Sequence, residues 1–96
     1  MEQYSRSVKT HKYLLDYYRS VLYIGNMNRI TNTKELGKLI REKRKTKGLT
    51  QSDLAMYCNT GTRFISDLEN GKETIQMSKV LVVLSMLALN VYVEER

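Results

Sequence analysis

A chain of 96 residues, 42% of them hydrophobic, can bury one small core, so a single domain is expected, near the size at which self-association helps stability. Sixteen Lys and Arg against ten Asp and Glu leave a net charge of +6, which favours a polyanionic partner. One cysteine and one histidine, Cys58 and His11, exclude an internal disulfide and a cluster of metal-ligand type, and no run nears the roughly 18 apolar residues of a membrane span.

The chain also lacks the charged, then apolar, then small-residue order of a secretory signal, so a cytoplasmic, reducing location is expected, without a membrane partner. No acid/base pair, activated nucleophile, phosphate loop or metal set is apparent; no enzyme, metal or cofactor is expected. Positive charge is concentrated: Thr31 to Thr50 carries seven basic residues against two acidic, whereas Gln51 to Glu73 carries two against four.

In residues 1–30, HKYLLDYYRSVLYIG places Leu14, Leu15, Tyr18, Val21 and Leu22 on one helical face, which predicts an amphipathic helix ending near Gly25. Three uses stay open for this extension: an extra helix packed on the domain or dimer, a partner-binding or membrane-surface segment, and a stretch absent from a native product that starts at Met27. A helix over Thr33 to Lys47 follows, with Asn32 as cap, Glu35 reaching back and Gly48 as left-handed stop. Leu36, Leu39, Ile40 and the stem of Lys43 are expected on its inner face.

Thr50 followed three residues later by Asp53 predicts a capping-box start for a short helix, Gln51 to Tyr57. The break CNTG comes next, where Asn59 tolerates a left-handed backbone and Gly61 can cap. So short a turn makes the next helix, Thr62 to Glu69, cross the previous one steeply. Ile65 and Leu68 point inward with Phe64 near them, and Thr62, Arg63, Ser66 and Asp67 face out; Asn70 and Gly71 stop the helix.

A last helix, Ile75 to Leu87, is apolar around most of its circumference, which asks for cover on more than one face. LNVYVEE then alternates with a period of two, the pattern of a strand. A lone strand is unstable in water, and antiparallel pairing of Leu89, Asn90, Val91, Tyr92 and Val93 with the same residues of a second copy is the simplest remedy.

The run ELGKLIREKRKTKGLTQSDLA, with the FIS of Phe64 to Ser66 and the LENGK of Leu68 to Lys72, resembles the Xre/Cro-type helix-turn-helix repressors. The resemblance covers about Lys34 to Leu87, and the terminal strand resembles that of the HipB-like antitoxins, whose subunits share a sheet. It implies an all-α, lambda-repressor-like helix-turn-helix domain of four core helices over 31–88 and a dimerisation strand over 89–96, and residues 1–30 stand outside the pattern as an extension. It implies a homodimer on a double-stranded DNA operator, an antitoxin that represses its own operon, and a HipA-like kinase toxin as second partner; a phage-type repressor without a toxin is the alternative. Residue by residue, Thr50 and Gln51 match positions that hold a DNA phosphate. Gly61, Thr62, Arg63 and Ser66 match the base-reading start of the recognition helix, and Asn70 and Lys72 grip the backbone again. Arg44 and Glu69 match an internal salt bridge.

The residue chemistry agrees on its own terms. Arg63 carries a planar fork that can donate two bonds to guanine O6 and N7, a contact worth about 1–3 kcal/mol of base discrimination. Thr62 and Ser66 can donate or accept, and Thr62 adds a methyl for thymine. Gly61 departs from the usual polar residue and reads nothing by side chain, and Asn59 and Thr60 depart from the Gly and apolar residue common in this turn. Cys58 reads as a small core residue.

Overall fold

The computed structural model describes residues 28–96, so the amphipathic helix expected before Gly25, with His11 and Met27, lies outside the described residues. Four helices follow one another: α1 (Thr33–Thr46), α2 (Gln51–Tyr57), α3 (Thr62–Glu69) and α4 (Met77–Met86). All four supply the core. Ile40 comes from α1, Leu54 and Ala55 from α2 with Cys58 at its cap, Ile65 and Leu68 from α3, and Val80, Val83 and Leu84 from α4 with Leu87 at its cap. Removing each of the larger of these side chains from water contributes on the order of 1.5–3 kcal/mol.

The start of α1 differs in one detail from the expected cap. Asn32 Oδ1 accepts from the Glu35 N–H at 2.8 Å, but Glu35 reaches past Asn32 and accepts from both the N–H and the hydroxyl of Thr31, each at 2.8 Å. Those two donors hold the Glu35 carboxyl below its ordinary range.

The inner face of α1 is also rotated from the one expected. Lys43 is exposed and Leu39 only half-buried, while Gly37 and Arg44 are buried beside Ile40. The reason is backbone proximity. A Cβ on Gly37 would lie 2.6 Å from the Glu69 carbonyl oxygen, so glycine lets α1 rest directly on the end of α3. Thr33 fastens the same contact by donating its hydroxyl to the Gly71 carbonyl at 2.8 Å.

All four helices end alike. In each, the residue two past the last helical one has positive φ: Gly48 (72°), Asn59 (55°), Gly71 (81°) and Ala88 (59°). The next N–H returns to the carbonyl five residues back: Leu49 to Arg44, Thr60 to Ala55, Lys72 to Asp67 and Leu89 to Leu84, at 2.8–3.1 Å. This is the Schellman stop, which satisfies carbonyls that a helix end leaves open. Ala88 is the one member whose side chain resists the left-handed conformation.

The last helix starts at Met77 rather than Ile75, which lies half-buried ahead of it. Its outward face carries Met77, Leu81, Val82 and Met86, all exposed, and the tail adds exposed Val91, Tyr92 and Val93. Among the described residues no strand forms. The residues expected to form one, 89–96, follow α4 as a single segment, and a strand needs the backbone of another to bond to.

Candidate nucleic-acid interface

The capping box at the start of α2 is complete. Thr50 Oγ1 accepts from the Asp53 N–H and Asp53 Oδ2 accepts from the Thr50 N–H, both at 2.9 Å. The Thr50 N–H, then its hydroxyl, hold the Asp53 carboxyl below its ordinary value. The Thr50 hydroxyl is thus engaged within the box, accepting from the Asp53 N–H and directing its own proton to the Asp53 carboxyl. The first N–H groups of α2 have no partner within the helix, and the positive end of the helix suits an anion.

The turn into α3 is built by Asn59 in the left-handed region and by the Thr60 N–H bond to Ala55. The Thr60 hydroxyl oxygen is buried with no hydrogen-bond partner, at the position where an apolar residue is common. Cys58 is buried beside the turn, and desolvation pushes its thiol pKa up, away from reactivity. Gly61 caps α3 without a side chain, at an ordinary φ of −84°, and a Cβ there would meet nothing within 4 Å. The opening N–H groups of α3 are therefore left bare.

On α3, Ile65 and Leu68 are buried and Phe64 is half-buried beneath the Lys79 ammonium, 5.5 Å from the ring centre. Thr62 and Arg63 are exposed at the start of the helix, and among the described residues no hydrogen bond or ion pair holds the Arg63 guanidinium. Ser66 is half-buried one turn on, and its Oγ lies 3.5 Å from Asn70 Nδ2, a weak contact. Lys72 pairs with Asp67 at 3.6 Å on the surface, a bond worth little and easily exchanged for a phosphate.

The far end of α3 is tied down by charge. Arg44 Nε donates to Glu69 Oε2 at 2.5 Å and Nη2 to Oε1 at 3.0 Å, while Nη1 donates to the Leu49 carbonyl at 2.8 Å. Hydrogen bonding to Glu69 raises the Arg44 pKa, so the guanidinium is charged at any working pH. Gln51 joins the network by donating Nε2 to Glu69 Oε1 at 3.1 Å, which leaves one amide hydrogen for an outside acceptor. This bond draws the start of α2 to the end of α3, next to Asn70. Thr50 and Gln51 therefore lie by the C-terminal end of α3, near Asn70 with Lys72 just beyond, whereas Thr62 and Arg63 stand at the open N-terminal end of α3.

Of the five tail residues named for dimerisation, Leu89 packs half-buried on the core, and Asn90, Val91, Tyr92 and Val93 are exposed. Gly37, which sets the distance from α1 to α3, escaped notice in the sequence. Its signal is an isolated glycine inside a helical pattern, which is unfavourable unless another backbone comes close. Among the described residues no group of His, Cys, Asp and Glu could hold a metal ion, and no helix is long and apolar enough to cross a membrane.

Comparison with known proteins agrees with this geometry. Residues 40–91 match the helix-turn-helix family HTH_3. An uncharacterized HTH-type transcriptional regulator y4mF of Sinorhizobium fredii is 44% identical over 63 residues, which span 66% of this chain and 83% of that protein. The ImmF control region 10 kDa protein of Bacillus phage phi105 is 38% identical over 61 residues, 60% of this chain and 67% of that protein. Among solved structures, a HipA-HipB-O2-O3 complex contains a chain of the same fold, with a TM-score of 0.66 and 23% identity over 72% of this chain and 97% of that one. The chain belongs to the Xre-type helix-turn-helix family of non-enzymatic, DNA-binding transcriptional regulators.

Proposed function

We propose that two copies of this chain form a homodimeric, sequence-specific repressor that acts in the cytoplasm on a palindromic operator at its own promoter. The observation that carries this reading is the open end of α3, where Thr62 and Arg63 stand exposed on a helix whose other side is fastened to the core. Arg63 reads guanine, Thr62 and Ser66 read neighbouring base edges, and Thr50, the second Gln51 hydrogen, Asn70 and Lys72 hold the adjoining phosphates. Exposed Met77, Leu81, Val82 and Met86, together with Leu89 to Val93 in antiparallel strand pairing, supply the dimer contact. That pairing sets two recognition helices about 34 Å apart, one turn of the duplex.

The finer reading is an antitoxin that also holds a HipA-like kinase toxin; the shared fold with the HipB chain of a HipA-HipB complex supports it. A repressor without a toxin is the second reading, favoured by the 38% identity to a phage control-region protein. A kinase-like gene abutting this one supports the first; a solitary gene among phage genes supports the second.

The test is a fluorescence anisotropy titration on the DNA upstream of the gene and on scrambled DNA. Preference of about a thousandfold for the upstream DNA is expected. Arg63→Ala should lose about 1–3 kcal/mol of that preference while the protein stays folded and dimeric. Equal, weak binding to both DNAs would overturn the repressor reading.

A further inference from the structure

Along α1, Lys34, Lys38, Arg41 and Lys45 succeed one another at steps of four, three and four residues, the spacing that stacks side chains in one row of a helix. All four are exposed, and among the described residues none is ion-paired, since the two salt bridges there join Arg44 to Glu69 and Lys72 to Asp67. Glu35 and Glu42 stand three and four residues from Lys38, and Glu42 three from Lys45, but neither forms an ion pair with the row among the described residues, and four cations against two acids leave this side of α1 net positive.

The place of the row matters as much as its charge. It is the next row over from Gly37 and Arg44, which pack on the end of α3. At its head, Lys34 lies so near Gly71 that a Cβ on the glycine would be 2.8 Å from the Lys34 Cα. Gly71 sits between Asn70 and Lys72, so the row starts where the backbone-gripping loop ends and runs on for 11 residues, about 16 Å. A duplex carries about one negative charge per 1.7 Å of its axis, so a path of that length meets a dense series of phosphates.

We infer that this row is a second phosphate-holding surface, which grips duplex flanking the bases read by α3 and adds affinity without adding sequence preference. The inference rests on the DNA-binding role proposed above. The chemistry favours DNA over an acidic protein. Three of the four residues are lysines, flexible point charges that follow a repeating backbone, and the row holds no aromatic or apolar centre of the kind that anchors a protein interface, where lysine is depleted.

The experiment compares three full-length proteins by anisotropy across salt: wild type, the neutral variant Lys38→Gln/Arg41→Gln/Lys45→Gln, and the charge-keeping variant Lys38→Arg/Arg41→Lys/Lys45→Arg. Each is titrated on an operator of about 20 base pairs and on the same operator with about 15 further base pairs on each side. Wild type should bind the extended duplex more tightly than the short one. The neutral variant should lose about tenfold or more on the extended duplex at low salt, with a log-log salt slope shallower by about 0.9 per phosphate contact removed. Its ratio of operator to scrambled binding should hold, and the charge-keeping variant should track wild type. A neutral variant with the wild-type slope, or one that loses the operator ratio, overturns the inference. If circular dichroism shows the triple variant unfolded, Lys38→Gln and Lys45→Gln alone read the same slope. Wild type that binds operator and scrambled DNA equally sinks the repressor reading, whereas a slope that ignores the row sinks this one alone.

Discussion

Replacing Arg44 by alanine tests how the recognition helix is held. The Glu69 carboxylate is 2% exposed and has three side-chain donors: Arg44 Nε, Arg44 Nη2 and Gln51 Nε2. Arg44→Ala removes two of the three and leaves a buried negative charge with one neutral partner. Breaking a buried pair in this way costs about 3–5 kcal/mol, a large part of the 5–15 kcal/mol that holds a typical domain. For a domain of this size each kcal/mol moves Tm by about 4–8 °C, so a fall of at least ~12 °C is expected. Urea and thermal unfolding followed by circular dichroism give the number. The double variant Arg44→Met/Glu69→Leu removes both charges together and should recover most of the loss, because apolar replacement of a buried pair is often neutral or stabilising. A loss below about 1 kcal/mol for Arg44→Ala would refute the reasoning, since that is the value of an exposed ion pair.

Gly37→Ala should destabilise by roughly 1–3 kcal/mol in the same unfolding assay, although alanine is the better helix former, because the new Cβ would meet the Glu69 carbonyl at 2.6 Å; a gain in stability would show that α1 can move off α3 freely. Thr60→Val should stabilise by about 1–2 kcal/mol by removing a buried hydroxyl that has no partner, and a loss would mean the hydroxyl is bonded in solution. The Asp53 carboxyl is held below its ordinary value of 3.8, so the stability it contributes is present at neutral pH and disappears as pH falls through the folded-state value, below about 4. Asp53→Asn should therefore melt lower than wild type near pH 7, with the gap closing in acid; a gap that stays constant over melts at stepped pH would exclude the linkage.

What could be read from the sequence was what local chemistry decides. The capping pair of Thr50 and Asp53 and the bare cap at Gly61 mark the starts of α2 and α3, and Asn59 and Gly71 mark their stops, because a cap or a left-handed residue acts within one turn. Ala88 was not recognisable as a stop, since alanine has no preference for the left-handed region; on either side of it Leu87 is buried and Leu89 packs half-buried on the core. Counting apolar positions assigned Lys43 to the inner face of α1, and periodicity cannot tell a buried arginine from a solvated one. Arg44 goes inside because Glu69, 25 residues later, is there to meet it. The pairing of these two was expected from family resemblance alone, as were the phosphate positions at Gln51, Asn70 and Lys72. The tail is a different case, since the hydrogen bonds of a strand belong to two segments and the pattern of one cannot supply the other.

In the proposed reading, fastening and base contact fall largely on different residues of α3. Ile65, Leu68 and Glu69 bind it to the frame, with Gly37 and Arg44 behind, whereas Thr62 and Arg63 are exposed and, among the described residues, no hydrogen bond or ion pair holds their side chains. The open space around a Cβ at Gly61 leaves room for a further side chain there. On that reading, operator choice can shift by exchange at Thr62 and Arg63 with little change in melting temperature, and a lineage or a library can re-address such a regulator without first having to restabilise it.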